Sequence, residues 1–337
     1  MPLPLLLLLA CTGPDSDTEV VDTGPLDPGA SPYSMDDVLR LNHVQAKGTH
    51  NSYHQQPDSP IHPTHYYTQP TLTDQLALHG VRQFEIDLHY RTGVGFEVFH
   101  IPLVDQETSC QLLVDCLAEV KTWSDDNLWH VPIVIWFEPK DDADALDPTL
   151  ELITGHYDEI DSEVRSVFPE RRLFTPAELK GDHADLPTRL AADGWPALGE
   201  LRGQVLFVML DGGEHRDGYL DGTNGFDRAI FVGSSNLDDP FAAFWKINDG
   251  TSDHARDTVA AGHIVTSNID GADSTDEDAM ASMTGTLDNG VQFSSSDVPA
   301  QIDTRDYWFD MPGGSPRCNV VTAPEPCSNL EIENLSP

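Results

Sequence analysis

Apolar residues along the chain gather in short runs, and most of these runs end in a polar cluster. The clearest are Arg82–Leu88, Val131–Phe137, Gln204–Leu210, Ala229–Val232, His263–Thr266 and Val291–Phe293. His43–Ala46 and Phe96–Phe99 have the same form, so eight strands are expected. Thr73–Leu78, Gln111–Trp123 and Leu150–Val164 carry helix-like patterns between them. Strands alternating with helices predict a parallel sheet built from βα units. Eight of them match a (β/α)8 TIM barrel, although periodicity alone fits an open doubly wound sheet equally well. The stretch 140–203 is long for one connection. It is expected to hold the helix near 150–164 and a second excursion through Thr175–Leu179 and Leu186–Ala192. No internal repeat or second linker divides the body, which predicts a single domain.

The N-terminus follows a different pattern. Leu5 to Leu9 form an unbroken apolar run followed by Ala10-Cys11. That is a short secretory h-region ending in a small residue, and far too short to span a bilayer. Leu-Leu-Ala-Cys resembles the bacterial lipobox, so residues 1–11 are expected to be a lipoprotein signal peptide ending at Cys11. Acylated Cys11 would then hold the exported protein on a bacterial membrane, the outer one in the first instance, unless the chain is secreted. The segment has no Lys or Arg ahead of the apolar run, so translation is expected to start upstream. Residues 12–31 are rich in Asp, Thr, Pro and Gly and predict a disordered acidic linker. The catalytic domain is expected over 32–305, with a tail over 306–337.

Charge narrows the function classes. The 337 residues include 57 acidic and 18 basic side chains, a formal net charge of −39. Nucleic-acid binding needs a cationic surface and is excluded on this ground. Simple adhesion to anionic membranes is disfavoured for the same reason. Besides Cys11 there are four cysteines, an even number in an exported chain. Of three connectivities, Cys110–Cys116 with Cys318–Cys327 is expected, the second pair lying in the tail. Neither pair has the spacing of a zinc site.

The polar clusters after the apolar runs carry the candidate chemistry, because barrel sites lie at the carboxyl ends of the strands. The first cluster contains His50 and Asn51, the second Glu85-Ile86-Asp87, the third His100, and the fourth Glu138 followed by Lys140. Glu85 and Asp87 are two apart, so on a strand they share a face. Carboxylates placed together repel unless a cation or a proton separates them. Glu138 ends a run too apolar for an unpaired charge. Asn51, Glu85, Asp87 and Glu138 make a hard oxygen set of the kind Ca2+ prefers. His50 and His100 are the candidate acid and base. His50 and Asn51 are adjacent, so sharing a site requires a bend, which Gly48 permits.

This ordered set resembles the calcium-dependent phosphoinositide-specific phospholipase C family, especially its bacterial branch. In that family a His-Asn pair ends the first barrel strand and an E-x-D ends the second. A second His follows 13 residues later and a Glu ends the next strand, the spacing seen here between Asp87 and His100. The likeness covers about residues 42–300. It implies a TIM barrel of the phospholipase C-like phosphodiesterase type, with His50 and His100 catalytic and Ca2+ on Asn51, Glu85, Asp87 and Glu138. It also implies a phospholipid or other phosphodiester substrate, with Lys140 a contact for its phosphate. The expected protein is a monomer that yields diacylglycerol and an inositol phosphate. The segment Val265-Thr266-Ser267-Asn268-Ile269-Asp270 departs from the family, whose bacterial members carry an arginine there. Glycerophosphodiester phosphodiesterases share the scaffold and typically have His-Arg where this chain has His50-Asn51. A non-catalytic surface lipoprotein would have no use for the full set.

Overall fold

The computed structural model describes residues 29–141, 146–302 and 305–333. The predicted signal peptide with Cys11, and most of the predicted linker, lie outside the described residues.

The described residues form ten strands. In chain order they are β1 (Val44–Thr49), β2 (Val81–Arg91), β3 (Gly95–Glu97), β4 (Ile133–Pro139) and β5 (Val205–Met209). They continue with β6 (Phe231–Val232), β7 (Phe244–Lys246), β8 (Ile264–Asn268), β9 (Phe293–Ser296) and β10 (Arg317–Cys318). Eight of them form one parallel sheet in the order β6-β5-β4-β2-β1-β9-β8-β7. A parallel bridge between Gly233 and Phe244 joins the two ends, reinforced by the Ser234 N–H donating to the Phe244 carbonyl at 2.9 Å. The expected TIM barrel is therefore present, closed at its last seam by a single bridge.

Two strand expectations are corrected. Phe96–Phe99 is not a barrel strand. β2 runs on to Arg91, and β3 folds back on it antiparallel, with His89 opposite Glu97. The place in the barrel is taken by β7, three residues long and too short to stand out in the pattern. The helix expected at 150–164 is found over Tyr157–Val167, and that expected at Gln111–Trp123 over Leu113–Asp126. The second excursion forms the helices Pro176–Lys180 and Leu186–Asp193. The first has a capping box between Thr175 and Glu178, and Asp185 caps the second through the Thr188 N–H. Both caps satisfy donors that a helix start leaves unpaired.

Alternation along the strands builds two cores. On β4, Ile133, Ile135 and Phe137 face the helices, packing with Leu113, Leu117, Val120, Ile160 and Val164. Val134 and Trp136 point the other way and join Ala46, Leu206, Val208 and Phe244. Parallel register carries the same division onto β2, where Phe84, Ile86 and Leu88 lie in the helix-facing core. Gln83, Glu85 and Asp87 therefore point inward beside Val134, Trp136 and Glu138. Inside the barrel Gly48 leaves room for Gln83: a Cβ on Gly48 would stand 2.0 Å from its Oε1, which accepts a hydrogen bond from Thr266.

The tail closes the opposite end. β10 pairs antiparallel with the start of β1, and the Cys110–Cys116 and Cys318–Cys327 disulfides are both formed. Buried Arg82, at the start of β2, pairs with Glu333, and buried Arg202 pairs with Asp36 while donating to the Ile332 carbonyl at 2.7 Å. Among the described residues no helix is long and apolar enough to cross a membrane.

Buried histidines in this framework make its stability depend on pH. His130 is held neutral, its Nδ1–H donating to the Val131 carbonyl at 2.6 Å while Nε2 faces the Ser124 hydroxyl at 2.5 Å. Burial pushes it down to about 4, against the pull of Glu333, and burial alone takes His263 to about 4. Both stay neutral in the fold while the unfolded chain takes up protons, so their contribution is complete above pH 6.5 and is lost as pH falls towards 4. Each should cost roughly 2.5 kcal/mol between about pH 7.5 and about pH 4.5. Urea unfolding at the two pH values should show His130→Gln losing less stability than the parent by that amount. Equal losses would refute the assignment.

Candidate active site

The carboxyl ends of β1, β2, β4 and β7 and the turn after β9 meet at one mouth of the barrel. β1 ends at Thr49 and the chain turns sharply. Asn51 is the residue in the left-handed region, at φ 41°, so the bend expected at Gly48 lies three residues further on. The turn is fastened to β2 by Ser52, whose N–H donates to the Glu85 carbonyl at 2.9 Å and whose Oγ accepts from the Glu85 N–H at 2.8 Å. His50 and Asn51 are thereby brought beside β2.

Glu85, Asp87 and Glu138 each offer an oxygen within 4.8 Å of the others. Glu85 and Asp87 are fully buried, and Asp87 stands directly across the β2–β4 ladder from Glu138. Two lysines answer this charge. Lys140 Nζ lies 2.8 Å from Glu138 Oε1 and 3.3 Å from Asp87 Oδ2. Lys246 Nζ, reaching across from β7, lies 2.9 Å from Glu85 Oε2 and 2.7 Å from Asn268 Oδ1. Burial raises Asp87 to about 7, the Lys140 ammonium opposing and Glu138 adding to the rise. Burial also works against ionised Glu85, but Lys246 and His50 outweigh it and hold that carboxyl below its ordinary range.

The two histidines are each oriented by a carboxylate. His50 Nδ1–H donates to Asp297 Oδ1 at 2.8 Å, and its Nε2 faces Glu85 Oε1 at 3.7 Å. Burial disfavours the His50 cation, yet Asp297 and Glu85 together raise it to about 9, so it is cationic at neutral pH. His100 Nδ1–H donates to Asp105 Oδ2 at 2.8 Å. A carboxylate only accepts, so this bond fixes the proton on Nδ1 and leaves Nε2 of the neutral ring as the lone-pair atom. One imidazole is set to give a proton and the other to take one. His100 belongs to the loop after β3, and not to the end of a barrel strand as its position in the sequence suggested.

Asp105 is the centre of a second cluster. Fully buried, it also accepts from His54 Nε2 at 2.9 Å and lies 3.8 Å from His65 Nδ1. His54 Nδ1 faces the Tyr67 carbonyl at 3.1 Å, so both its nitrogens meet acceptors. Burial works against charge on Asp105, but the bonds from His100 and His54 hold it well below the usual carboxylate range. Burial and the neighbouring imidazoles lower His65, with Asp105 opposing.

All six expected site residues, with Lys140, gather at this mouth. Lys246, Asp105, Asp297 and Asn268 complete it. Lys246 ends an apolar run exactly as Lys140 follows one, a signal hidden by the missed strand. Asp105 carries no motif of its own chemistry, because its role is set by loop folding.

The donor set also fits a hard cation. Asn51 Oδ1 and the Asp87 carboxylate are buried beside the hydroxyls of Tyr53 and Tyr67, Tyr53 interacting with Asp87 and Tyr67 with Asn51, and the cation facing Asp87 Oδ2 is Lys140 at 3.3 Å. Oxygen atoms gathered around three converging carboxylates are the kind of set a hard cation takes.

The family model for Ca2+-dependent phosphoinositide phospholipase C matches residues 91–320. The match takes in His100, Asp105, Glu138, Lys140 and Lys246, while His50, Asn51, Glu85 and Asp87 precede it. Among solved structures, the chain is similar to a calcium-dependent phosphoinositol-specific phospholipase C from a Pseudomonas species. The TM-score is 0.55 and the identity 20%, covering 78% of this chain and 92% of that one. A Ca2+-dependent phosphatidylinositol-specific phospholipase C from Streptomyces antibioticus gives a TM-score of 0.57 at 17% identity, over 77% and 94% of the two chains. These likenesses establish the fold. No curated protein matches the chain. On the family match, which spans more than half its length, the chain belongs to the Ca2+-dependent phosphoinositide phospholipase C family of phosphodiesterases.

Proposed function

We propose that this protein cleaves the phosphodiester of phosphatidylinositol-type lipids, releasing diacylglycerol and an inositol phosphate, with His50 and His100 as its proton-transfer groups. One observation carries this reading: two oppositely prepared imidazoles stand at a mouth where three carboxylates converge within reach of one another.

Asn51, Glu85, Asp87 and Glu138 would hold Ca2+. When bound, calcium supplies counter-charge to a phosphate and makes a nearby hydroxyl more acidic. The chain's own residues do the rest. His100 Nε2 accepts the proton of the attacking hydroxyl, and Asp105 stabilises the imidazolium that results. His50, cationic at neutral pH, donates from Nε2 to the departing oxygen and lies against the negative charge that grows on the phosphoryl group. The cyclic phosphodiester formed by an inositol hydroxyl is then opened by water, the same two groups acting in reverse. Lys140 and Lys246 are the cations available to a phosphate once calcium has taken over the carboxylates they neutralise here. The apolar run Leu5–Leu9 and Cys11 support a lipid-anchored, exported location for the mature chain.

Removing either histidine tests the chemistry. His50→Ala and His100→Ala should each lower kcat on phosphatidylinositol by roughly 10²–10⁴-fold. Both should still fold, since Asp297 keeps the Ala272 N–H at 2.8 Å and Asp105 keeps His54. Near-parent turnover in either variant would end the mechanism. Run in parallel, turnover of glycerophosphoinositol or a choline lipid in preference to phosphatidylinositol would end the substrate assignment.

Metal dependence is separable from turnover. Adding Ca2+ to chelator-treated protein should raise its melting temperature, by the equivalent of about 2.7 kcal/mol at a hundredfold excess over Kd. Asp87→Asn should abolish most of that shift and depress the rate with it. An Asp87→Asn protein that melts and responds to Ca2+ like the parent would show that calcium binds elsewhere.

A further inference from the structure

Beside the carboxylate trio stands a second group of three ligand-bearing side chains, chemically unlike the first. His65, His100 and Asp105 each present a donor atom within 4.8 Å of the others. Asp105 Oδ2 lies 2.8 Å from His100 Nδ1 and 3.8 Å from His65 Nδ1. Ligand atoms around a tetrahedral zinc at 2.0–2.1 Å stand roughly 3.3 Å apart, between those two separations. Two imidazoles and one carboxylate form a borderline-soft set that suits zinc and is foreign to calcium.

Two further features point to a ligand. His65 is 5% exposed, and its Nδ1 is buried without a hydrogen-bond partner, aimed at Asp105. A buried ring nitrogen is rarely left in that state without a purpose. Asp105 is also held from behind: His54 Nε2 lies 2.9 Å from Oδ1 and 3.0 Å from Oδ2, while Oδ2 also faces the two other rings. Ligand carboxylates in zinc sites are commonly hydrogen-bonded in this way by a neighbour. The His65 and His100 rings stand nearly perpendicular, with centroids 5.7 Å apart, so their nitrogens approach a common point without the rings colliding. The His100 side chain is 24% exposed, which gives an ion an entry and leaves a fourth position for water.

We propose that His65 Nδ1, His100 Nδ1 and Asp105 Oδ2 form a zinc-binding site whose occupancy switches the enzyme off. In the ion-free site the base form of His100 carries its proton on Nδ1, bonded to Asp105, and its lone pair on Nε2. Zinc bound at Nδ1 moves that proton to Nε2, with no net proton released. The ring then has no lone pair with which to accept a proton, and Asp105 is engaged by the metal. Inhibition therefore needs no contact between zinc and substrate and no displacement of calcium. Zinc binding itself is independent of the phospholipase C reading; only its inhibitory consequence rests on it.

The test uses the full chain with saturating Ca2+, so that the carboxylate trio is filled, and titrates Zn2+ or Co2+ alone. One equivalent of Co2+ should bind and give the strong visible absorption of a low-coordinate ion. Zn2+ should displace it and inhibit phosphodiester cleavage. His65→Ala should weaken metal binding at least tenfold and make cleavage correspondingly zinc-resistant, with its zinc-free rate unchanged. His65→Phe fills the volume without a donor and should behave alike, which guards against a folding defect in the alanine variant. Metal affinity unchanged in both variants would overturn the site, as would binding that Ca2+ displaces. Metal binding lost with His65 but no inhibition of the parent by bound zinc would overturn the switch. Because the cobalt spectrum needs no turnover, a chain inactive on inositol lipids would still report on the site.

Discussion

Three carboxylates pointing into one end of a closed barrel are the constraint around which the site is organised. Glu85, Asp87 and Glu138 cannot all be ionised side by side in a buried place unless positive charge is supplied. Here Lys140 and Lys246 supply it, one from beyond the end of β4 and the other from across the barrel on β7. The register of the sheet makes the convergence unavoidable, with Asp87 opposite Glu138 and Glu85 opposite Trp136. A slip of one residue in β2 would turn both of its acids into the helix layer and bring Phe84 and Ile86 inward. The phosphodiesterase site is thus written in the same alternation that builds the two cores.

The two ends of the barrel divide function from stability. At the mouth, carboxylates are crowded together and ionisable groups are pushed away from their ordinary behaviour. At the opposite end charge is also buried, but it is paired. Arg82 is bonded to Glu333, and Arg202 to Asp36 and to the Glu331 and Ile332 carbonyls. These contacts tie both flanks of the described chain to the starts of the strands. Taking away one partner of such a buried pair is costly because the other charge is then stranded. The tail therefore fixes the barrel from below and leaves the catalytic end open.

Much of this was legible in the sequence, and what was not has identifiable causes. Runs such as Val131–Phe137 are long and strongly apolar, so β4 and the Glu138 that ends it were plain. β7 is three residues long, and its barrel neighbour β6 only two. Strands that short owe their conformation to the ladders on either side, which no local pattern encodes. With β7 unseen, Lys246 could not be placed, although it holds Glu85. Phe96–Phe99 misled for the converse reason. It has the composition of a strand, but its position is set by the extension of β2 to Arg91 and by the turn through Gly93 and Gly95. His100 reaches the mouth from that loop. Asp105 lies on a loop and His65 ends the short 3-10 helix Pro63–His65, and their meeting with His54 is a matter of tertiary folding alone.

The charge of the chain sets a last condition on how the site works. A protein with a net charge of −39 repels an anionic lipid surface at long range. At physiological salt that repulsion is screened beyond about 8 Å. Under the proposed function attraction would be local, and the cations placed at the mouth to provide it are His50, Lys140 and Lys246. In the described state each is already engaged by a carboxylate, so an approaching phosphate meets a neutralised site and not a positive one. Calcium, bound as proposed, would change this balance by relieving the lysines of Glu85, Asp87 and Glu138. On that account the metal would do more than assist the reacting atoms: it would make an otherwise acidic protein locally attractive to the proposed anionic substrate. A membrane tether through Cys11, as proposed, would complement this arrangement by supplying proximity that long-range electrostatics denies.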